Sequence, residues 1–275
     1  MAGGQPGGDS KASIALYHMG NKRKRRAVVT IARNEKVFLP IWWHYYSRFF
    51  APEDIYILDH DSTDGSLSGG GFVRVPVSHP VVDWGWHRDM LQQQQHRLLD
   101  EYEVVLCTDA DEIVAPDPST GTLGDYIDRL DKDFVNCRGY EILHKKDDEA
   151  PLDVNAPILL VQRSHWFFNP SYSKPLLARV PMHWHGGLHT RVDGQICEDL
   201  SLYLIHLHRV DYEICLDRHR QRISIPWNQR DLDENWGYQN RITEERQFEH
   251  WFYNDSSCGS PIHAELIPSQ WKGLI

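Results

Sequence analysis

Apolar residues follow two textures along this chain, short unbroken runs alternating with helix-period stretches in the first half and an irregular pattern in the second. Ala27-Val28-Val29-Thr30-Ile31-Ala32 is a β-branched run with no polar alternation, which predicts a strand buried on both faces. Ile41, Tyr45 and Phe49 then recur at i, i+4 and i+8 and predict a helix that Pro52 ends. Residues 55–58 predict a second buried strand, followed by the turn-rich stretch 59–65. Residues 72–75 predict a third strand, 88–101 a helix, and 104–107 a fourth strand. This alternation predicts an α/β fold with a mostly parallel, doubly wound, Rossmann-like sheet. Ligands of such sheets sit at the carboxyl ends of strands, and here two of those ends carry Asp59 and Asp109.

Beyond residue 130 the expectations are coarser. Residues 134–143 and 158–161 predict strands, and the aromatic-, Pro- and His-rich stretch 164–189 predicts long loops over the sheet. Residues 202–208 alternate as a strand does, with Leu202, Leu204, His206 and His208 on one face; 211–223 predict a helix. The organisation expected is a flexible basic lead-in over 1–26 and a single domain over 27–275.

Composition narrows the classes. A formal charge of −10, with one concentrated basic run at Lys22 to Arg26, argues against nucleic acid as a partner. Five cysteines without a CxxC pair fit reduced thiols in a cytoplasmic protein. No apolar stretch approaches the roughly 18 residues that span a membrane, so no integral membrane segment is expected.

Asp109-Ala110-Asp111-Glu112 gathers three acidic groups where a buried strand emerges. Such groups repel one another unless a cation or hydrogen bonds compensate, and a hard divalent metal would bridge them to a diphosphate. Asp59 to Ser66 reads equally as a turn, with Asp and Ser side chains bonding backbone N–H groups and Gly65 permitting positive φ. Taken in order, Thr30 to Glu35, Ile57-Leu58-Asp59-His60-Asp61-Ser62-Thr63-Asp64-Gly65-Ser66 and Asp109-Ala110-Asp111-Glu112 resemble the family 2 glycosyltransferases, in the branch reading NE…DxxSTDGS…DxDE. The resemblance covers residues 27–115. It implies a GT-A fold, a nucleotide-sugar donor, usually a uridine diphosphate sugar, a carbohydrate or glycoconjugate acceptor, and Mn²⁺ or Mg²⁺. By position it puts Glu35 and Asp59 at the nucleotide, Asp109 at ribose or metal, and Asp111 on the metal. Residues 27–130 then form the nucleotide-binding half and 131–275 the loop-rich acceptor-binding half. One departure is the helix before the acidic pair, which reads Arg88 to Gln95 where many members carry Gly, Ala and Asn.

Sixteen histidines cluster at 183, 185 and 189 and at 206 and 208. Most read as satisfied polar residues. GT-A enzymes often supply one histidine to the metal, and His208 at the end of its apolar strand is preferred over His189 after Gly186-Gly187. Inverting transfer needs a carboxylate to deprotonate the acceptor. Glu198-Asp199 resembles the acidic pair that carries the base in many family 2 enzymes, with Glu141 as its rival. Trp166, Phe167, Phe168, Trp184 and Trp227 are expected at the acceptor, and Lys174 and Arg179 read equally as phosphate contacts or as surface charge. Two other classes use similar residues: a nucleotidyltransferase with the same acidic pair, and a His-metal oxygenase or binding protein built on the second half.

Overall fold

The computed structural model describes residues 23–254 and 259–275. Its sheet opens with β1 (Lys24–Ala32), whose apolar residues from Ala27 onward are almost completely buried, as an unbroken β-branched run requires. β2 (Ile55–His60), β3 (Val73–Val77) and β4 (Tyr102–Cys107) lie parallel beside it in the order β4-β1-β2-β3. This parallel centre agrees with the expected alternation of strands and helices.

Helix α1 (Phe38–Tyr46) buries Trp42, Tyr45 and Tyr46 against the sheet and ends three residues before the expected Phe49. Helix α2 (Trp84–Leu99) starts four residues earlier than expected, because the Asp83 side chain accepts from the Trp86 N–H and caps it. The basic lead-in is shorter than expected. Lys24 to Arg26 belong to β1, where Arg25 pairs with Glu103 at 2.6 Å and Arg26 with Asp128 at 3.1 Å. The rest of the lead-in, to residue 22, lies outside the described residues.

The second half completes the sheet with mixed pairings. After β4 comes β5 (Glu112–Pro116), then α3 (Leu123–Asp128), neither of them expected. β6 (Phe134–Ile142) follows as predicted. The expected strand at 158–161 is instead a tight fold-back. The Ile158 carbonyl accepts from the N–H groups of Gln162 and Arg163, and Leu160 takes a left-handed φ of 58°. The stretch expected as loops contains two short strands, β7 (His165–Phe168) and β8 (Pro175–Ala178). β8 inserts antiparallel between β4 and β6. β9 (Glu198–His206) lies antiparallel to β5 and parallel to β6.

Asp211 accepts from the N–H groups of Glu213 and Ile214 and starts α4 (Tyr212–Ile223). Short α5 (Gln229–Asp233), α6 (Glu245–Tyr253) and β10 (Glu265–Leu266), which joins β7, follow. A separate apolar cluster of Tyr212, Leu216, Phe248 and Phe252 locks α4 to α6. Among the described residues no helix is long and apolar enough to cross a membrane, and Cys107, Cys137, Cys197 and Cys215 are free thiols.

Candidate active site

Strand register brings the chemistry together. β4 ends at Cys107 and the chain re-enters the sheet at Glu112, so Asp109, Asp111 and Glu112 leave one strand end together. The antiparallel pairing of β8, with Leu177 beside Leu106, carries Lys174 to the same end. In β9, His206 stands opposite Glu112 of β5 and Glu141 of β6. Asp111, Glu112 and Glu141 therefore surround one imidazole.

Each carboxylate meets a cation from a distant element. Lys174 Nζ, almost fully buried, lies 2.6 Å from Glu112 Oε1 and 3.2 Å from Asp109 Oδ2. Arg218 of α4 donates to Asp111 and, through Nη2, to Glu35 Oε1 at 2.6 Å. His206 places Nε2 3.4 Å from Asp111 Oδ2 and Nδ1 3.2 Å from Glu141 Oε1.

The titration of these groups follows. Burial alone would raise Asp111, but Arg218 and His206 outweigh it and hold the carboxyl well below the usual range. Burial works against Asp109 ionisation too, and Lys174 prevails. For Glu35 burial prevails over Arg218 and Arg222, and its carboxyl is raised. Burial likewise disfavours a charged His206, yet Asp111 and Glu141 lift it to about 9. A buried cation is what this pair of carboxylates demands.

That demand fits a metal as well as a proton. Asp111, His206 and His208 offer ligand atoms within 4.8 Å of one another. Asp109 Oδ1 is buried with no hydrogen-bond partner among the described residues, 3.5 Å from His87 Nε2. Glu141 orients the far nitrogen of His206, as carboxylates do behind metal-bound imidazoles. Above this group opens a cavity of about 900 Å³. Arg33, Lys36, Arg88, Lys174, Arg218 and Arg222 line it, with Trp84, Trp86, Tyr172, Trp236 and Tyr238 supplying flat faces. The segment after α4 returns over the cavity and is tied to the start of α2, Arg230 pairing with Asp83 at 2.8 Å and Asp231 accepting from the Trp84 N–H at 2.7 Å.

The expected site residues divide. Glu35, Asp109, Asp111, His189 and His208 line the cavity. Asp59 does not. It is the buried penultimate residue of β2, accepting from the Ser62 N–H at 3.0 Å and from Arg74 Nε at 2.8 Å. Burial would raise its carboxyl, but Ser62 and Arg74 outweigh that and lower it. Glu198 and Asp199 begin β9, whereas the cavity lies at its other end, about 23 Å away along an extended strand of seven further residues. Asp199 accepts from the Tyr126 hydroxyl at 2.8 Å and serves structure there. Neither can reach a reacting group in this cavity.

His208 does stand beside Asp111 and His206 as expected, but not for the expected reason. The strand stops at His206, so alternation no longer directs residue 208, whose Nε2 sits 2.9 Å from His219 Nε2. His189 bonds through Nδ1 to the Ser171 carbonyl, and burial lowers its pKa to about 4. Gly187, with φ 69°, makes room for that ring, which an added Cβ would meet at 2.6 Å. The expected acceptor aromatics are elsewhere. Trp166 and Trp184 are core, Phe167 packs with the α4–α6 cluster, and neither Phe168, Trp227 nor Arg179 lines the cavity. Glu141 is sealed behind His206. Sequence reasoning missed His206 as the central imidazole, and also Arg218 and Arg222. Their signals were present: His206 shares the Leu202–Leu204 face, and the two arginines stand at i, i+4 on α4.

No protein-family model matches the chain, and no curated protein matches it. Fold and site by themselves define an α/β protein with a carboxylate–imidazole cluster at a parallel strand's end, beneath a cation-rich cavity.

Proposed function

We propose that the chain is a metal-dependent glycosyltransferase of GT-A type that moves a sugar from a nucleotide diphosphate sugar to an acceptor hydroxyl. One observation carries this reading: Asp109 and Asp111 stand together where β4 opens into a cavity walled by six cationic side chains and by aromatic faces. One cavity thus brings together carboxylates for an ion and cationic side chains for phosphates.

Asp111 and His206, whose ligand atoms already converge, would hold the ion with Asp109 next to them on the cavity wall, and a mixed oxygen and imidazole set suits Mn²⁺ better than Mg²⁺, which prefers oxygen alone. When bound, it would neutralise charge on the leaving diphosphate. Lys174 and Arg218 keep both aspartates ionised, and Arg222, Arg33 and Lys36 are available to phosphate oxygens. Trp84 and Trp86 offer stacking surfaces for a base or sugar ring, and Tyr172, Trp236 and Tyr238 extend that surface toward an acceptor. A uridine diphosphate sugar and inversion at the anomeric carbon are what the sequence resemblance adds.

A thermal-shift panel of nucleotide sugars with and without Mn²⁺ tests this. A ligand that binds only the folded chain raises the midpoint by mass action. The reading expects at least one uridine diphosphate sugar to do so only when Mn²⁺ is present. If no nucleotide sugar shifts the midpoint in saturating Mn²⁺, the reading is wrong.

A further inference from the structure

One cluster runs from His208 on the cavity wall back to Cys215 and His219, two side chains that do not line the cavity. His208, Cys215 and His219 are all buried, and their ligand atoms lie within 4.8 Å of one another. Cys215 and His219 stand one turn apart on α4, on a face that Arg218 and Arg222 leave free by turning to the cavity. His208 comes from the loop before the helix. The rings of Phe248 and Trp251 on α6 cover the group, with centroids 5.2 and 5.0 Å from that of His219.

We propose that His208, Cys215 and His219 form a second metal site, for a borderline-soft divalent ion of the zinc type, adjoining the acidic site that Asp111 and His206 make. The separations are those of ligands around one ion. Zinc bonds of about 2.0–2.1 Å to nitrogen and 2.3 Å to sulfur give tetrahedral edges of about 3.3 Å between nitrogens and about 3.6 Å between nitrogen and sulfur. Here His208 Nε2 and His219 Nε2 are 2.9 Å apart, and Cys215 Sγ is 3.8 Å from His219 Nε2. Adjustments of a few tenths of an ångström bring these two pairs to the zinc spacings, and the third pair, His208 with Cys215, lies within 4.8 Å.

The second sphere is in place too. His219 Nδ1 lies 3.0 Å from the Ile242 carbonyl; donating there fixes the tautomer and turns the Nε2 lone pair inward, as behind bound imidazoles. Three guanidiniums stand nearby, but each already faces a carboxylate: Arg218 meets Asp111 and Glu35, Arg209 comes within 3.9 Å of Glu141, and Arg222 within 3.9 Å of Glu35. On binding, Cys215 releases its thiol proton to solvent and its thiolate offsets one of the ion's charges. One coordination position remains for a water. The ion would clamp the 208 loop to α4 and so fix the cavity-facing Arg218 and Arg222.

The test uses the full chain, stripped of metal and loaded with Co²⁺. A thiolate-to-cobalt charge-transfer band in the near ultraviolet, lost in Cys215→Ser and kept in Asp111→Asn, is expected. X-ray absorption on the zinc-loaded wild-type chain should show sulfur and nitrogen in the shell at about one ion per chain. That measurement needs no variant and holds even where Cys215→Ser fails to fold. A wild-type chain without the band, a band that survives Cys215→Ser, or a zinc shell free of sulfur overturns the proposal. Because Asp111→Asn spares this site, its failure is distinguishable from failure of the transferase reading.

Discussion

Asp59 and Asp109 begin as the same feature, a carboxylate where a buried parallel strand ends, and finish in opposite conditions. Asp59 is satisfied locally, by the Ser62 N–H three residues on and by Arg74 of the adjacent strand. Asp109 and Asp111 are satisfied by Lys174, Arg218 and His206, each at least 65 positions away. A turn needs only its own residues to be stable. A carboxylate pair held in place by remote cations has been brought into a low-dielectric wall at considerable cost, and that arrangement borders the cavity.

The comparison breaks most sharply at the cations. Lys174→Met leaves Glu112 and Asp109 unpaired and buried, and should destabilise the fold by about 3–5 kcal/mol in denaturant unfolding. Arg74→Met, at a half-exposed partner of Asp59, should cost under about 1 kcal/mol. Equal losses would erase the distinction. Next comes Asp111→Asn, which should lower Mn²⁺-dependent transfer by on the order of 10²-fold or more while the chain stays folded by circular dichroism. Full activity in that variant would remove the metal reading of the pair.

The third test is pH. His206 is raised from its ordinary 6.5 to about 9, so its contribution is complete below about 6.5 and is lost as pH rises through about 9. Metal-free protein should lose on the order of 2 kcal/mol across that window, and His206→Gln should flatten the profile. Below about 6.5 stability should fall again, because burial keeps His208 and His219 neutral in the folded chain. A flat profile between 6.5 and 9 in the wild-type chain refutes the carboxylate–imidazole coupling. Smallest of all, Asp59→Ala should cost about 1 kcal/mol and leave uridine diphosphate affinity, by calorimetry, within about threefold. A tenfold loss would return Asp59 to the nucleotide.

What the sequence made legible follows the range of the interactions. β1, β2, β4, α2 and α4 were readable because their apolar periodicity is local, although the Asp83 cap that starts α2 four residues early was not read. The acidic pair was readable because it ends such a strand. β5 was missed because Glu112 was absorbed into the acidic motif, and only pairing with β9 makes the residues after it a strand. The partners of His206 and Lys174 were out of the sequence's reach for a related reason: neighbours in sequence say nothing about Glu141 or Glu112 standing opposite. The base expected at Asp199 failed because position along a strand, not residue type, decides which end meets the cavity.

The insertion of β8 beside β4 bears on how the molecule can be divided. Four residues from the second half cover the open flank of the parallel core, Leu177 seated between Leu106 and Val135. A fragment cut near residue 130 would present β4 as a naked, flat, apolar edge, the surface along which strands of separate molecules pair and precipitate. The chain therefore has no seam between its first and second halves. Swapping one portion between related proteins would have to carry β8 along with the core it seals.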